Sequence, residues 1–280
     1  MSELEEAKRL RPGDRHYMAY VGPPRQYDFM GATQFRLLCS LGLRDDHKVL
    51  DFGCGSLRAG RLLIPYLRPG HYFGIEPNHW LVEDAIANQL GQDIVRIKRP
   101  QFSNSDRFDA TVFDEKFDFI VAQSIFSHAG PDLTLRALTS FSACLNAGGL
   151  CAVTFIEGEG GIASGWVYPG CTRYTREAIH RLASDANLEC MAVSWFHPRQ
   201  SWYLLARETS AFPSQGEARL LHGAVLRSPE FRESIASALN QIGPNAPNPE
   251  SESDRQARRL RRQTRREARA QGRRGEPSSS

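Results

Sequence analysis

The stretch Val49-Leu50-Asp51-Phe52-Gly53-Cys54-Gly55-Ser56-Leu57-Arg58, answered by Tyr72-Phe73-Gly74-Ile75-Glu76-Pro77, decides the fold. It reads as a buried strand, a glycine turn, a helix, and a second strand that ends on a carboxylate. That is the opening unit of a doubly wound α/β fold, whose ligand sits at the carboxyl ends of the strands. The glycines let the backbone approach a ligand closely, and a helix starting near Ser56 offers unpaired N–H groups. Glu76 is placed to accept hydrogen bonds from a pair of ribose hydroxyls. A cofactor containing a nucleoside follows from that arrangement.

Which nucleoside is decided by what is missing. A dinucleotide site asks for G-x-G-x-x-G, with a pyrophosphate at the helix N-terminus. Here the third position is Arg58, and the next glycine, Gly60, falls two residues late. Asp51, just ahead of the first glycine, would repel a pyrophosphate but suits a cationic amino group. A nucleoside with an amino-acid end, S-adenosylmethionine, meets both conditions. The bland alternative, a glycine turn without a ligand, leaves the two matched acids unexplained.

At these residues the chain resembles the class I S-adenosylmethionine-dependent methyltransferases. Asp51-x-Gly53-x-Gly55 matches the first motif of that family and Glu76 its ribose-binding acid, and the likeness covers roughly residues 44 to 208. A narrower likeness, to a bacterial subgroup of small methyltransferases, runs through Tyr20-Val21-Gly22-Pro23-Pro24, Tyr27-Asp28-Phe29-Met30-Gly31, Ile64-Pro65-Tyr66-Leu67 and Gln123-Ser124-Ile125-Phe126-Ser127-His128. The resemblance implies a mainly parallel, seven-stranded Rossmann-like sheet with its last strand antiparallel. It carries no substrate with it.

Composition bounds the setting. The chain has 280 residues, 41% hydrophobic and 24% charged, enough for one ordinary domain with appendages. No apolar run approaches the ~20 residues of a membrane span. The acidic N-terminus, Met1 to Glu6, lacks the apolar core of a secretion signal. The six cysteines, Cys39, Cys54, Cys144, Cys151, Cys171 and Cys190, form no C-x-x-C pair; free thiols in a reducing cytoplasm are expected, and no metal site. Net charge is +3, but ten arginines crowd Arg255 to Arg274, so the body without them is slightly acidic. That argues against a folded nucleic-acid enzyme.

Periodicity and turn residues divide the chain into an N-terminal arm and capping helix (1–43), the methyltransferase domain (44–208), a helical extension (209–243) and a disordered Arg-rich tail (244–280). A helix is expected over Tyr27 to Gly42, a strand over His47 to Phe52, a helix over Leu57 to Leu67, a strand over His71 to Ile75 and a helix over Trp80 to Leu90. Ile94 to Phe102 is ambiguous, with a short strand expected near Arg99 to Ser103. Phe117 to Ala122 is a buried strand, Asp132 to Leu145 a helix, Leu150 to Ile156 a strand, and Thr175 to Ala186 a helix capped by Thr175. Leu188 to Trp195 and Ser201 to Ala206 close the sheet.

Three segments follow strand ends and so face a ligand: Gln123 to His128, Glu157 to Tyr174, and Phe196 to Gln200. Cofactor contacts are expected from Asp51, Gly53, Cys54, Gly55, Glu76, Pro77, Asp106, Gln123 and Ser124, with Asn104 and Phe108 beside Asp106 at the adenine. Tyr20 and Tyr27 are expected to close over the cofactor from the arm. His197 and His128 are the candidate general bases, able to take a proton from a hydroxyl, phenol or amine. His197 is preferred, because Pro198 stiffens its short loop and Trp195 and Trp202 flank it; a helix-capping role competes at His128. Methyl transfer also proceeds without a base when acceptor and methyl are held in line. Trp166, Tyr168 and Tyr174, among Gly158, Gly160, Gly161 and Gly165, read as a mobile lid with aromatic walls.

The sequence favours a small-molecule acceptor, at oxygen ahead of nitrogen. Two alternatives stay open: an enzyme acting on RNA or protein recruited by the basic tail, and a binder of S-adenosylmethionine without chemistry. The tail lacks the aromatics for base stacking and an apolar face for membrane insertion, so a solvated extension is the preferred reading. The oligomeric state is not legible.

Overall fold

The computed structural model describes residues 3–160 and 164–223, all within one compact unit. The extension beyond Gly223 and the Arg-rich tail lie outside the described residues. Seven strands form one sheet: β1 (Val49–Phe52), β2 (Tyr72–Ile75), β3 (Gln101–Ser103), β4 (Phe117–Ala122), β5 (Leu145–Phe155), β6 (Glu189–Val193) and β7 (Ser201–Ala206). Their order is β3-β2-β1-β4-β5-β7-β6. The first five run parallel, and β7 enters antiparallel between β5 and β6. The order reverses beside β1, between β1 and β4, which is where such a sheet opens a crevice for ligand.

Nine α-helices lie among the described residues: α1 (Glu3–Ala7), α2 (Tyr17–Tyr20), α3 (Tyr27–Ser40), α4 (Gly60–Tyr66), α5 (His79–Ala85), α6 (Gln92–Lys98), α7 (Pro131–Cys144), α8 (Arg176–Asp185) and α9 (Gln215–Ala218). Strand alternation sorts the side chains into two cores. Leu50, Phe52, Ile120, Cys151 and Val153 face α7 and α8 through Leu138, Phe141 and Ile179. Val49, Val121, Leu150 and Ala152 face α3, α4 and α5 through Leu37, Leu38, Leu63 and Val82. β1 is buried on both sides, which is why it reads as an unbroken apolar run except for Asp51.

The structure departs from the sequence expectations at several boundaries. α4 begins at Gly60, not at Leu57, because Leu57 takes a left-handed φ of 54° that breaks the helix before it starts. The ambiguous segment is a helix, α6, followed by the short β3. The helix expected to Leu90 is α5 followed by a π-helical turn at Ile86–Leu90. Asn146 to Gly149, between the expected helix and the expected strand, is drawn into β5 with an irregularity opposite Phe117 to Phe119. Thr175 does cap α8, its Oγ1 accepting from Ala178 N–H at 3.2 Å. Of the extension, residues 209–223 are described: a 3-10 turn at Thr209–Ala211 and α9, which is opened by a capping box between Ser214 and Glu217.

Candidate active site

The carboxyl ends of β1, β2 and β4 open onto a cavity of about 760 Å³. That is the size of an ordinary small-molecule site, roughly 300–1,000 Å³. Its floor is the glycine loop. Gly55 sits at φ 53°, and a Cβ there would stand 2.7 Å from Val21 Cγ1, so a glycine is what lets the arm lie across the loop. Behind the loop, α3 passes so closely at Gly31 that a Cβ would fall 2.2 Å from the Arg58 carbonyl.

The two acids stand where strand ends place them. Glu76 Oε2 accepts from Gly55 N–H at 3.0 Å, and Oε1 accepts from the backbone and side-chain N–H of Asn78 at 2.8 and 2.9 Å. Burial pushes its carboxyl above the usual range, and these three donors oppose that. Oε2 keeps one lone pair for a ligand hydroxyl. Asp51, 3% exposed, accepts from Tyr72 Oη at 2.9 Å. Burial raises it to about 6, partly offset by Tyr72 and by the positive charge of Arg58.

Gln123 follows β4 with both amide atoms buried and unpartnered. An orphaned amide costs about 1–3 kcal/mol; it lines the cavity, where a ligand would satisfy it. Ser124, at φ 65°, is held by its N–H to Thr154 Oγ1 at 2.8 Å and by Gln200 Nε2, which donates to its Oγ at 3.0 Å. These residues, the glycine loop and Glu76 fit an adenosine carrying an amino-acid end.

The far wall is a segment from Gly165 to Thr172 stitched to the loop after β4. Gly130 N–H donates to Gly165 O, Val167 N–H to His128 O and Thr172 N–H to Ser127 O, at 2.8, 2.8 and 2.9 Å. Trp166 and Tyr168 stack at 6.3 Å, and each meets the His128 ring edge-on. Tyr168 Oη donates to Tyr20 O at 2.9 Å, tying this wall to the arm. Tyr174 belongs elsewhere: it is fully buried, its Oη donating to Ala129 O.

Of the residues singled out from the sequence, Tyr20, Asp51, Gly53, Cys54, Gly55, Glu76, Pro77, Asp106, Gln123, Ser124 and His128 line this cavity. Tyr27 and His197 do not. Tyr27 lies behind the glycine loop, where Oη donates to Ser56 O at 2.7 Å and accepts from Gln89 Nε2 at 2.8 Å; it supports the loop rather than closing over it. The expectation that a short loop would hold His197 on the active face is also corrected. Its Nδ1 accepts from Arg199 and Gln200 N–H at 3.1 and 3.0 Å, and its Nε2 is buried without a partner. Burial and the charges of Arg199 and Arg58 hold it well below the ordinary histidine range. Trp195, likewise, packs under Arg36 and donates to Thr33, so the aromatics around this loop are core.

His128 is differently placed. Its Nδ1 lies 2.6 Å from Gly170 O, and since a carbonyl only accepts, Nδ1 carries the hydrogen and Nε2 keeps a lone pair. Burial lowers its pKa from 6.5, with the Gly170 bond opposing. The sequence reading missed Arg58, Arg199 and Gln200, which also line the cavity. Arg58 was the residue in the place of the third glycine. The loop Phe196 to Gln200 was expected at this end, but within it the sequence singled out His197 and not Arg199 or Gln200.

Residues 50–151 match a family model described as a methyltransferase domain. Solved structures share the fold at low identity. Magnesium protoporphyrin IX methyltransferase from Synechocystis PCC 6803, with bound SAH, is 13% identical over 66% of this chain and 84% of that one, at a TM-score of 0.50. A putative O-methyltransferase from Nostoc punctiforme PCC 73102 is 14% identical over 68% and 58%, at 0.53. The sugar N-methyltransferase KedS8 from Streptoalloteichus is 15% identical over 68% and 91%, at 0.50. No curated protein sequence matches.

The fold is thus that of a Rossmann-like transferase with its crevice at the β1–β4 switch. Residues 50–151 match as a methyltransferase domain, and the chain has a fold shared with methyltransferases, one of them solved with bound S-adenosylhomocysteine.

Proposed function

We propose that the enzyme methylates a small-molecule acceptor, at oxygen, inside this cavity. One observation carries the reading: a single cavity runs from Glu76 past Ser124 to His128, and its far end is walled by Trp166 and Tyr168. A wall stitched to the arm through Tyr168 and Tyr20 leaves room for a small acceptor and hinders a macromolecular strand. The solved neighbours named for porphyrin, sugar and O-methylation support the same class of acceptor. Among the described residues no helix is long and apolar enough to cross a membrane.

In this reading Glu76 Oε2 accepts from a ribose hydroxyl, Asp51 holds the ammonium of the amino-acid end, and Asp106 with Phe108 borders the adenine. Gln123 and Ser124 flank the methionine part. The bound cofactor supplies the methyl group as a sulfonium substituent. His128 Nε2 takes the proton of the acceptor hydroxyl, its neutral form being preserved by burial and its tautomer by Gly170. His197 serves as a fixed acceptor that shapes its own loop. The domain is taken to span residues 44–208, between the arm and the extension, in a cytoplasmic protein.

The test is labelling. Native-organism extract is split into small-molecule and macromolecular fractions, and each is incubated with the enzyme and isotope-labelled S-adenosylmethionine. Mass spectrometry should find the label on an oxygen of a small molecule. Label confined to RNA or protein would refute the proposal.

A further inference from the structure

The charged residues of the cavity are segregated. Its acids, Asp51, Glu76 and Asp106, all lie on the side of β1, β2 and β3. The opposite side is lined from the segments after β4 and β5 and from the loop between β6 and β7. That side carries His128, Cys171 and Arg199, and no carboxylate among the described residues. Cys171 Sγ lies 3.9 Å from His128 Nδ1. Burial holds the Arg199 guanidinium below the ordinary arginine range, and Cys171 is near enough to oppose that shift. Arg199 and Cys171 both keep contact with solvent, so this side is the mouth.

Arg199 is held in place but not neutralised. Its Nη1 donates to Gln26 Oε1 at 2.9 Å, which ties it to the arm. Among the described residues it belongs to no ion pair. A guanidinium carries several N–H donors in one plane, so most of the fork is left over. Arg58 adds a like charge nearby, and that residue is the one Asp51 acts on. Next in the chain, Gln200 Nε2 donates to Ser124 Oγ at 3.0 Å, while its Oε1 is buried without a donor. An uncompensated cation and an orphaned oxygen side by side at a cavity mouth are both completed by a ligand.

The cofactor does not neutralise this side. Its amino-acid end brings one charge of each sign, and its sulfonium adds a positive one. Resting on the reading of the cavity as the site of methyl transfer to a small molecule, we propose that the acceptor is a small organic anion, a hydroxylated carboxylate or phosphate, and that Arg199 binds its acidic group and so selects anionic acceptors over neutral ones. The planar fork of a guanidinium matches the paired oxygens of either group. A neutral acceptor leaves Arg199 and the sulfonium without a counter-charge, which is the source of the discrimination.

The experiment reads the charge of the product and the kinetics of one variant. The small-molecule fraction of native-organism extract is incubated with the enzyme and S-adenosylmethionine labelled in its methyl group, with an enzyme-free control. The labelled product should be retained by an anion exchanger at about pH 8 and released by salt, and phosphatase treatment then separates a phosphate from a carboxylate. For the purified acceptor, Arg199→Gln should raise KM about ten-fold or more, the scale of one charge-assisted contact, with a smaller effect on kcat and with Arg199→Lys between the two. Calorimetry with S-adenosylhomocysteine should give the variant an affinity within about two-fold of wild type, which also reports that it keeps its fold. A labelled small molecule that passes the exchanger unretained overturns the proposal, as does an unchanged KM or a matching loss of S-adenosylhomocysteine affinity. Each of these spares the small-molecule reading, which only label confined to RNA or protein, or no label at all, would defeat.

Discussion

On the proposed reading, in which Asp51 holds the cofactor's ammonium, this residue couples cofactor binding to pH. Its carboxyl is raised from 3.8 to about 6 by burial, so ionising it costs the domain when no ammonium is present. A folded-state value above the unfolded one gives stability that is complete below 3.8 and lost as pH rises through about 6. At about 1.4 kcal/mol per unit, the loss is on the order of 3 kcal/mol. Asp51→Asn should therefore raise the melting temperature of the ligand-free protein at pH 7 while weakening S-adenosylhomocysteine at least ten-fold. Because only the ionised form attracts an ammonium, wild-type affinity should fall about ten-fold from pH 7 to pH 5, and the Asn variant should show no such slope. Calorimetry across that range decides it. His128 makes a second case. His128→Gln should cut turnover on the identified acceptor by about 10²-fold with cofactor affinity within about two-fold. Since burial lowers its pKa, wild-type turnover should begin to fall only at a pH below the ordinary histidine range. His197→Ala should instead show a loss of stability, because Nδ1 anchors two backbone N–H groups.

At the scale of elements, the site is built by helices and loops that press on the glycine turn from outside. α3 does this at Gly31, where any side chain meets the Arg58 carbonyl. Gly31→Ala should cost about 1–3 kcal/mol in a thermal or urea melt, the usual penalty of overpacking. It should also weaken S-adenosylhomocysteine, since the only relief is a shift of the backbone that carries Arg58. A melt unchanged from wild type would mean that α3 moves freely, against its burial through Leu37 and Leu38. The wall from Gly165 to Thr172 is held differently. Its stability comes from backbone bonds to the loop after β4 and from Tyr168, so the aromatic residues are positioned by pairing and not by a helix or strand of their own.

For the whole molecule, stability and ligand binding are linked through one sheet. The cavity is made from residues of both sheet faces and of the arm, so a ligand that fills it clamps elements far apart in sequence. Saturating S-adenosylhomocysteine, at 100 times its Kd, should stabilise the protein by about 2.7 kcal/mol and raise the melting temperature accordingly. Truncation after Pro244 removes the arginine run. On the small-molecule reading it should leave both that shift and turnover unchanged, with no salt dependence lost. A drop in turnover that high salt reproduces in the full chain would instead make the run a docking device.

The sequence by itself determined the sheet and the cofactor end of the cavity. Local pattern was enough there: apolar runs for β1, β2 and β4, glycines at the turn, and Asp51 and Glu76 at fixed distances from strand ends. Such signals lie within a few residues of one another, so spacing alone carries them. Only the tertiary structure decided which histidine faces the cavity. His128 and His197 look alike in sequence, each beyond a strand, and the difference is a ring turned onto its own loop in one and onto the Gly170 carbonyl in the other. The same holds for Tyr27, a neighbour of the arm in sequence but a support behind Ser56 in space, and for Arg58 and Arg199, brought to one cavity by an antiparallel strand and a left-handed Leu57. Side-chain direction after a turn depends on packing from elements distant in the chain, and no local pattern records it.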